Sequence, residues 1–101
     1  MEGTGAARAA LVELRELEAF VAVASLGSFT KAAAELRFDQ STVSRHVMQL
    51  ERDLRLVLLV RNSRRVELTD DGRAFLPHAR RAVDAARRAA EFAQKLARAP
   101  G

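Results

Sequence analysis

The 101-residue sequence has no cysteine, so disulfide scaffolds and thiolate metal sites are excluded and a reducing, cytoplasmic setting is expected. Its two histidines, His46 and His78, stand too far apart to suggest a zinc site, and no metal is expected. The longest uninterrupted apolar run is the six residues from Ala19 to Ala24, too short to span a bilayer, so no membrane partner is expected. No secretory leader is expected either, because Glu2 precedes any basic residue and Arg8 and Glu13 interrupt the first apolar stretch. Catalytic constellations are missing too: there is no nucleophile–base pairing, paired-carboxylate pocket, phosphate-cradling glycine loop or metal cluster. The sequence is therefore not that of an enzyme, and it calls for no cofactor.

What is present fits one compact domain with one extended element. Apolar residues make up 49% and charged residues 30% of the chain, close to the globular average. The net charge of +4 is concentrated: residues 37–65 hold seven basic and three acidic side chains, and the remainder holds ten of each sign. Such asymmetry suits either a polyanion-binding surface or an ordinary arginine-rich solvated face.

Residues 1–13 are weakly patterned at their start and read as a flexible arm. From Leu14, the apolar positions Leu14, Leu17, Phe20, Val21 and Ala24 share one helical face, and Gly27 is placed to end that helix in a left-handed conformation. Ser28 then caps a second helix running to about Arg37, and Asp39 a third from Gln40 to about Asp53. The two-residue spacing between them predicts a helix-turn-helix. On the third helix Val43, Val47, Leu50 and Leu54 form a narrow inward stripe. Ser41, Ser44, Arg45, Met48 and Arg52 lie opposite, with no acidic residue among them. Short donors and arginine suit phosphates and base edges better than a merely solvated face, which favours Glu and Lys.

The period then changes. Leu56 to Val60 and Val66 to Thr69 read as two strands, and Arg61 to Arg65 as the polar tip of a β-hairpin, or wing. Thr69 caps a final helix reaching about Ala97, with Asp70 and Asp71 in its first turn and a kink expected at Pro77. Residues 98–101 read as a tail. Along that helix Leu76, Ala79, Val83, Ala86, Ala90, Ala93 and Ala97 recur at alternating spacings of three and four, and Leu96 widens the stripe. About 28 helical residues span roughly 42 Å, more than a core this small can cover. The stripe therefore predicts a partner helix, most simply a second copy, with Leu76, Ala79, Val83, Ala86, Ala90, Ala93 and Leu96 at a dimer interface. A helix folded back on its own domain is the alternative, and an interaction module with an incidental basic face is the rival to nucleic-acid binding.

Three segments in order, LRELEAFVAVASLGSFTKAAAEL, QSTVSRHVMQLERDL and RVELTDDGRAFLPHARR, resemble the N-terminal DNA-binding domain of the LysR-type transcriptional regulators. The resemblance covers roughly Leu14 to Leu96. It implies a mainly α fold, a winged helix-turn-helix (three helices plus a two-stranded wing) over 14–69 followed by a linker and dimerisation helix over 70–97. It also implies a homodimer that reads a pseudo-palindromic double-stranded DNA site and regulates transcription. By position, Gln40, Ser41, Ser44 and Arg45 match recognition-helix contacts, with Met48 and Arg52 beside them. Ser28, Thr30 and Lys31 match phosphate contacts, and Arg64 and Arg65, with Arg61 nearby, match the wing. Lys31, Arg37, Arg52 and Arg61 are expected to neutralise phosphates. The resemblance also implies, in full members, an effector domain of the periplasmic-binding-protein type beyond these residues, so no small-molecule ligand is expected on this chain. Where the family pattern has glycine this chain has Arg55, and a left-handed conformation there costs arginine about 1 kcal/mol.

Overall fold

The computed structural model describes residues 12–62 and 65–98. These form α1 (Leu14–Leu26), α2 (Phe29–Leu36), α3 (Gln40–Leu54), β1 (Leu59–Arg61), β2 (Val66–Leu68) and α4 (Asp70–Arg98), with the two strands paired antiparallel. The fold is the expected mainly α winged helix-turn-helix with a long C-terminal helix.

Helix α1 opens with a capping box in which Glu13 and Glu16 each accept from the other's backbone amide. Val12 packs against the core, so Val12 and Glu13 belong to the folded unit and not to an arm; residues 1–11 lie outside the described residues. Gly27 ends α1 in the left-handed region at φ 67°, as its position predicts. Ser28 is extended and accepts from the Lys31 amide at 3.1 Å, which starts α2.

Helix α2 closes at Arg37, also left-handed at φ 62°, with Phe38 N donating to Ala33 O. Asp39 occupies the N-cap position of α3, but its carboxylate makes no capping bond, contrary to expectation; its carbonyl alone starts the helix, accepting from Thr42 and Val43. Helix α3 ends at Arg55, φ 59°, where Leu56 N donates to Glu51 O. The helix end is thus the left-handed turn a glycine would make, built with arginine.

The core gathers Ala19, Phe20 and Val23 from α1, Ala32 and Ala33 from α2, and Val43, Val47 and Leu50 from α3, with Leu58 below them. Full burial of each large apolar side chain is worth about 1.5–3 kcal/mol. Leu54, expected in the same stripe, is half-buried at its rim.

The wing is shorter than expected. Leu56 to Leu58 form a connection, not strand, and β1 takes in Arg61, which the sequence places at the tip. Leu59 pairs with Leu68, Val60 with Glu67 and Arg61 with Val66. The connection has different partners: Glu51 Oε2 on α3 accepts from Leu58 N at 2.9 Å and Leu59 N at 3.2 Å. Thr69 N donates to Leu58 O, and Thr69 Oγ1 accepts from Gly72 N, capping α4. Gly72 has a steric reason to be glycine, since a Cβ there would lie 2.1 Å from the Leu58 carbonyl oxygen.

Helix α4 continues through Pro77 to Arg98, one residue past the expected end. Its apolar seam divides at Val83. Leu76 and Ala79 join the core, Phe75 meets Phe20 with ring centroids 5.8 Å apart, and Val83 is buried beside Val21, Ala22 and Leu26. Arg80 adds a 3.1 Å bond to Ser25 Oγ on α1. Leu76, Ala79 and Val83, expected at a dimer interface, lie instead in the interior of their own domain, because α1 covers them. Beyond that point Ala86 is half-buried and Ala90, Ala93 and Leu96 are exposed.

Candidate nucleic-acid interface

With Val43, Val47 and Leu50 turned into the core, the helical period presents the other side of α3 to solvent. Ser41, Arg45 and Arg52 are exposed there, Met48 is 47% exposed, and with Ser44 and Gln49 they line one shallow groove. Among the described residues Arg45 makes no hydrogen bond or ion pair, so its guanidinium fork is available to a bidentate acceptor. Arg52 Nη1 donates to Gln49 Oε1 at 3.1 Å, and Gln49 Nε2 in turn donates to Asp53. That chain holds the Arg52 head along the helix.

At the N-terminal end of α3, Gln40 Oε1 accepts from Thr30 Oγ1 at 3.0 Å, joining the two helices of the helix-turn-helix. Thr30 is thus engaged within the fold, and the Gln40 amide keeps its NH2 for donation. Ser28 is likewise engaged as a cap, while Lys31 and Arg37 stand exposed.

Two residues sit differently from expectation. Ser44 is half-buried at the flank of this face, and Arg61, although exposed, turns its head back over α2 and α3. The Arg61 Cζ lies 4.2 Å above the centre of the Phe29 ring, and its Nη1 donates to Ser44 Oγ at 3.1 Å. The reason is stacking of a weakly hydrated planar cation on an aromatic face, brought within reach because β1 includes residue 61. Arg65 stays at the exposed end of the wing, its backbone N–H donating to Asn62 Oδ1 and its guanidinium 3.4 Å from Glu67. Arg64, also expected there, lies outside the described residues.

His46 sits between this face and α1. Its Nδ1 is buried without a partner among the described residues, and its ring meets Phe38 edge-on. Burial, and then the charges of Arg45 and Arg15, hold it below the usual imidazole value. The ring is accordingly neutral near pH 7 and adds no charge to the basic face.

Sequence reasoning overlooks Glu51 and Phe29. A carboxylate in the last turn of a helix opposes the helix dipole, and that misfit is the signal that Glu51 has partners elsewhere. Phe29 has no distinguishing mark at the start of α2, and only the wing's approach reveals it as the platform under Arg61.

Helices α2 and α3, the wing and an exposed basic face define a winged helix-turn-helix of the DNA-binding type. Residues 14–73 match the model of the bacterial regulatory helix-turn-helix proteins, lysR family, and the chain belongs to that family. The regulator TcbR of Pseudomonas sp. (strain P51) is 41% identical over 87 residues, covering 86% of this chain and 30% of that protein. The chain thus spans under a third of that relative's length. Among solved structures, the complex of the BenM DNA-binding domain with the catB site 1 DNA superposes with TM-score 0.76 at 36% identity, covering 87% of this chain and 99% of that one. The CbnR DNA-binding domain in complex with DNA gives 0.74 at 42% identity, covering 85% and 99%. Oxidized OxyR of Corynebacterium glutamicum gives 0.80 at 33%, covering 81% of this chain and 26% of that one.

Proposed function

We propose that this chain binds double-stranded DNA in a sequence-specific manner as a homodimer, and that the protein carrying it regulates transcription from pseudo-palindromic sites in the cytoplasm. The observation that supports this most is the exposed Ser41–Arg45–Met48–Arg52 face of α3, backed by a fully buried Val43–Val47–Leu50 stripe. The relatives solved with DNA share that fold over nearly their whole domain.

In this reading α3 enters the major groove. Arg45 takes guanine N7 and O6, a bidentate contact worth about 1–3 kcal/mol of discrimination. Gln40 addresses adenine, Ser41 and Ser44 make shorter contacts, and Met48 meets a thymine methyl. Lys31, Arg37 and Arg52 neutralise phosphates, supplying affinity without sequence choice. Arg64 and Arg65 carry the wing to the neighbouring minor groove. The mate is held through the exposed half of α4, by Ala86, Ala90, Ala93 and Leu96, so that two α3 helices meet successive major grooves about 34 Å apart.

Selection of bound sites from random duplex, followed by sizing of the complex, tests the reading. A two-fold-related motif bound by two chains is expected; recovery of no motif overturns it. On the selected site, Arg45→Ala should relax base choice by about tenfold or more at one pair. Lys31→Ala should weaken all duplexes alike and shallow the salt dependence by about one ion. Competition binding with base-substituted duplexes separates the two.

A further inference from the structure

The stacked, hydrogen-bonded placement of Arg61 suits it to more than phosphate neutralisation. We propose that Arg61 is a positioning residue that fixes Ser44 as a hydrogen-bond donor toward the DNA, so that the wing helps to set the base choice of α3. The inference rests on the DNA-binding reading above and deepens it.

A serine hydroxyl has one donor hydrogen and two acceptor lone pairs. Unrestrained on a helix, it turns among staggered positions and also bonds back to the preceding turn, so it discriminates poorly between donor and acceptor edges. Here Arg61 Nη1 lies 3.1 Å from Ser44 Oγ and can only donate, since guanidinium has no acceptor. One lone pair is thereby occupied, and the hydroxyl hydrogen must point away from Arg61. Ser44 lines the groove on the outer side of α3, so that direction includes the ligand side. The adjacent positive charge also makes the hydroxyl a stronger donor and a weaker acceptor. The favoured partner is an acceptor edge: guanine N7 or O6, or thymine O4.

The latch is preorganised. The Arg61 head rests 4.2 Å over the Phe29 ring, which fixes the guanidinium plane, and residue 61 is itself held by pairing with Val66. Phe29 is buried at the start of α2 and is therefore a rigid platform. One Arg61 N–H is taken by Ser44 and the face of the guanidinium by the ring, which fixes the direction of the donors that remain.

The test uses the site selected by the wild-type chain and duplexes substituted at each pair, with Arg61→Ala, Ser44→Ala and the double variant. Both single variants should lose roughly three- to tenfold of discrimination at the same base pair, and the double variant should be no worse than Ser44→Ala. Additive losses, or a uniform loss on all duplexes with a shallower salt dependence, would overturn the proposal and make Arg61 a phosphate contact. Should Arg61→Ala fail to fold, Arg61→Lys decides. It keeps the charge but not the planar stack, and should lose discrimination with the salt dependence retained; full discrimination in Arg61→Lys overturns the proposal. A measurement without DNA is also available: Arg61 side-chain protons should be shifted upfield by the Phe29 ring and return on Phe29→Leu. Unshifted protons remove the latch even if the wild-type chain binds DNA selectively. A wild-type chain that selects no site would instead overturn the DNA-binding reading and the positioning role together.

Discussion

Glu16 is 5% exposed, an unusual place for a carboxyl on α1. Burial, joined by the carboxylates of Asp53 and Glu13, raises its pKa above the ordinary value, against the pull of the Glu13 backbone bond and Arg15. The folded chain thus holds this proton more tightly than the unfolded one. The resulting stabilisation is complete below the ordinary carboxylate pKa and is lost as pH rises through the raised value. Glu16→Gln keeps the capping box, which accepts either residue, and should raise the melting temperature near pH 7 with little gain below pH 4. Thermal melts across that range check it; an equal gain at both ends would exclude the titration. Arg55 and Arg37 are the other costly single residues, since each holds a left-handed backbone without being glycine. Arg55→Gly should stabilise the chain by about 1 kcal/mol in denaturant titrations. Gly27 already has that conformation at the end of α1, and the substitution Gly27→Ala should cost a similar amount although nothing lies within 4 Å of the added methyl.

Among the elements, α3 and the wing are coupled by one side chain. Glu51 Oε2 takes the amides of both Leu58 and Leu59, so removing it leaves two partly buried N–H groups without their acceptor. Glu51→Ala should cost about 2 kcal/mol or more, and Glu51→Gln less, because its amide oxygen still accepts. Faster amide exchange at Leu58 and Leu59 would identify the wing as the part released. This coupling explains what the sequence does and does not disclose. The α3 stripe, the Gly27 stop and the Ser28 cap are local in origin, and their spacing is enough to read them. The start of β1 is not local: Leu56 to Leu58 have strand composition, but their polar groups are satisfied by Glu51 and Thr69, which only the folded chain brings there. Arg61 escapes for the same reason, since a cation over an aromatic ring 32 residues away in the chain leaves no periodic trace. Ser44, one residue after buried Val43, lies at the flank by helical phase, and only the folded wing gives it a partner.

For the whole molecule, the sequence of α4 fits two arrangements, for a physical reason. A stripe at three- and four-residue spacing is the same whether another helix of the chain or a second copy covers it. The chain does the first as far as Val83 and leaves the second open beyond it, with Phe92 61% and Leu96 62% exposed. The two halves should respond differently to substitution. Val83→Ala should cost about 2 kcal/mol at any protein concentration. Phe92→Glu with Leu96→Glu should leave the helix content of a protomer intact but convert the proposed dimer to monomer in sedimentation, and weaken binding to a two-half-site duplex far more than to a single half-site. Unchanged mass in that double variant would move the interface elsewhere.

Because α4 is one continuous rod from Asp70 to Arg98, its far end is geared to its near end. One residue inserted after Val83 turns everything downstream by about 100° and advances it by about 1.5 Å. The tally of residues between Gly72, wedged under the Leu58 carbonyl, and Leu96 therefore sets the angular phase at which any mate must approach.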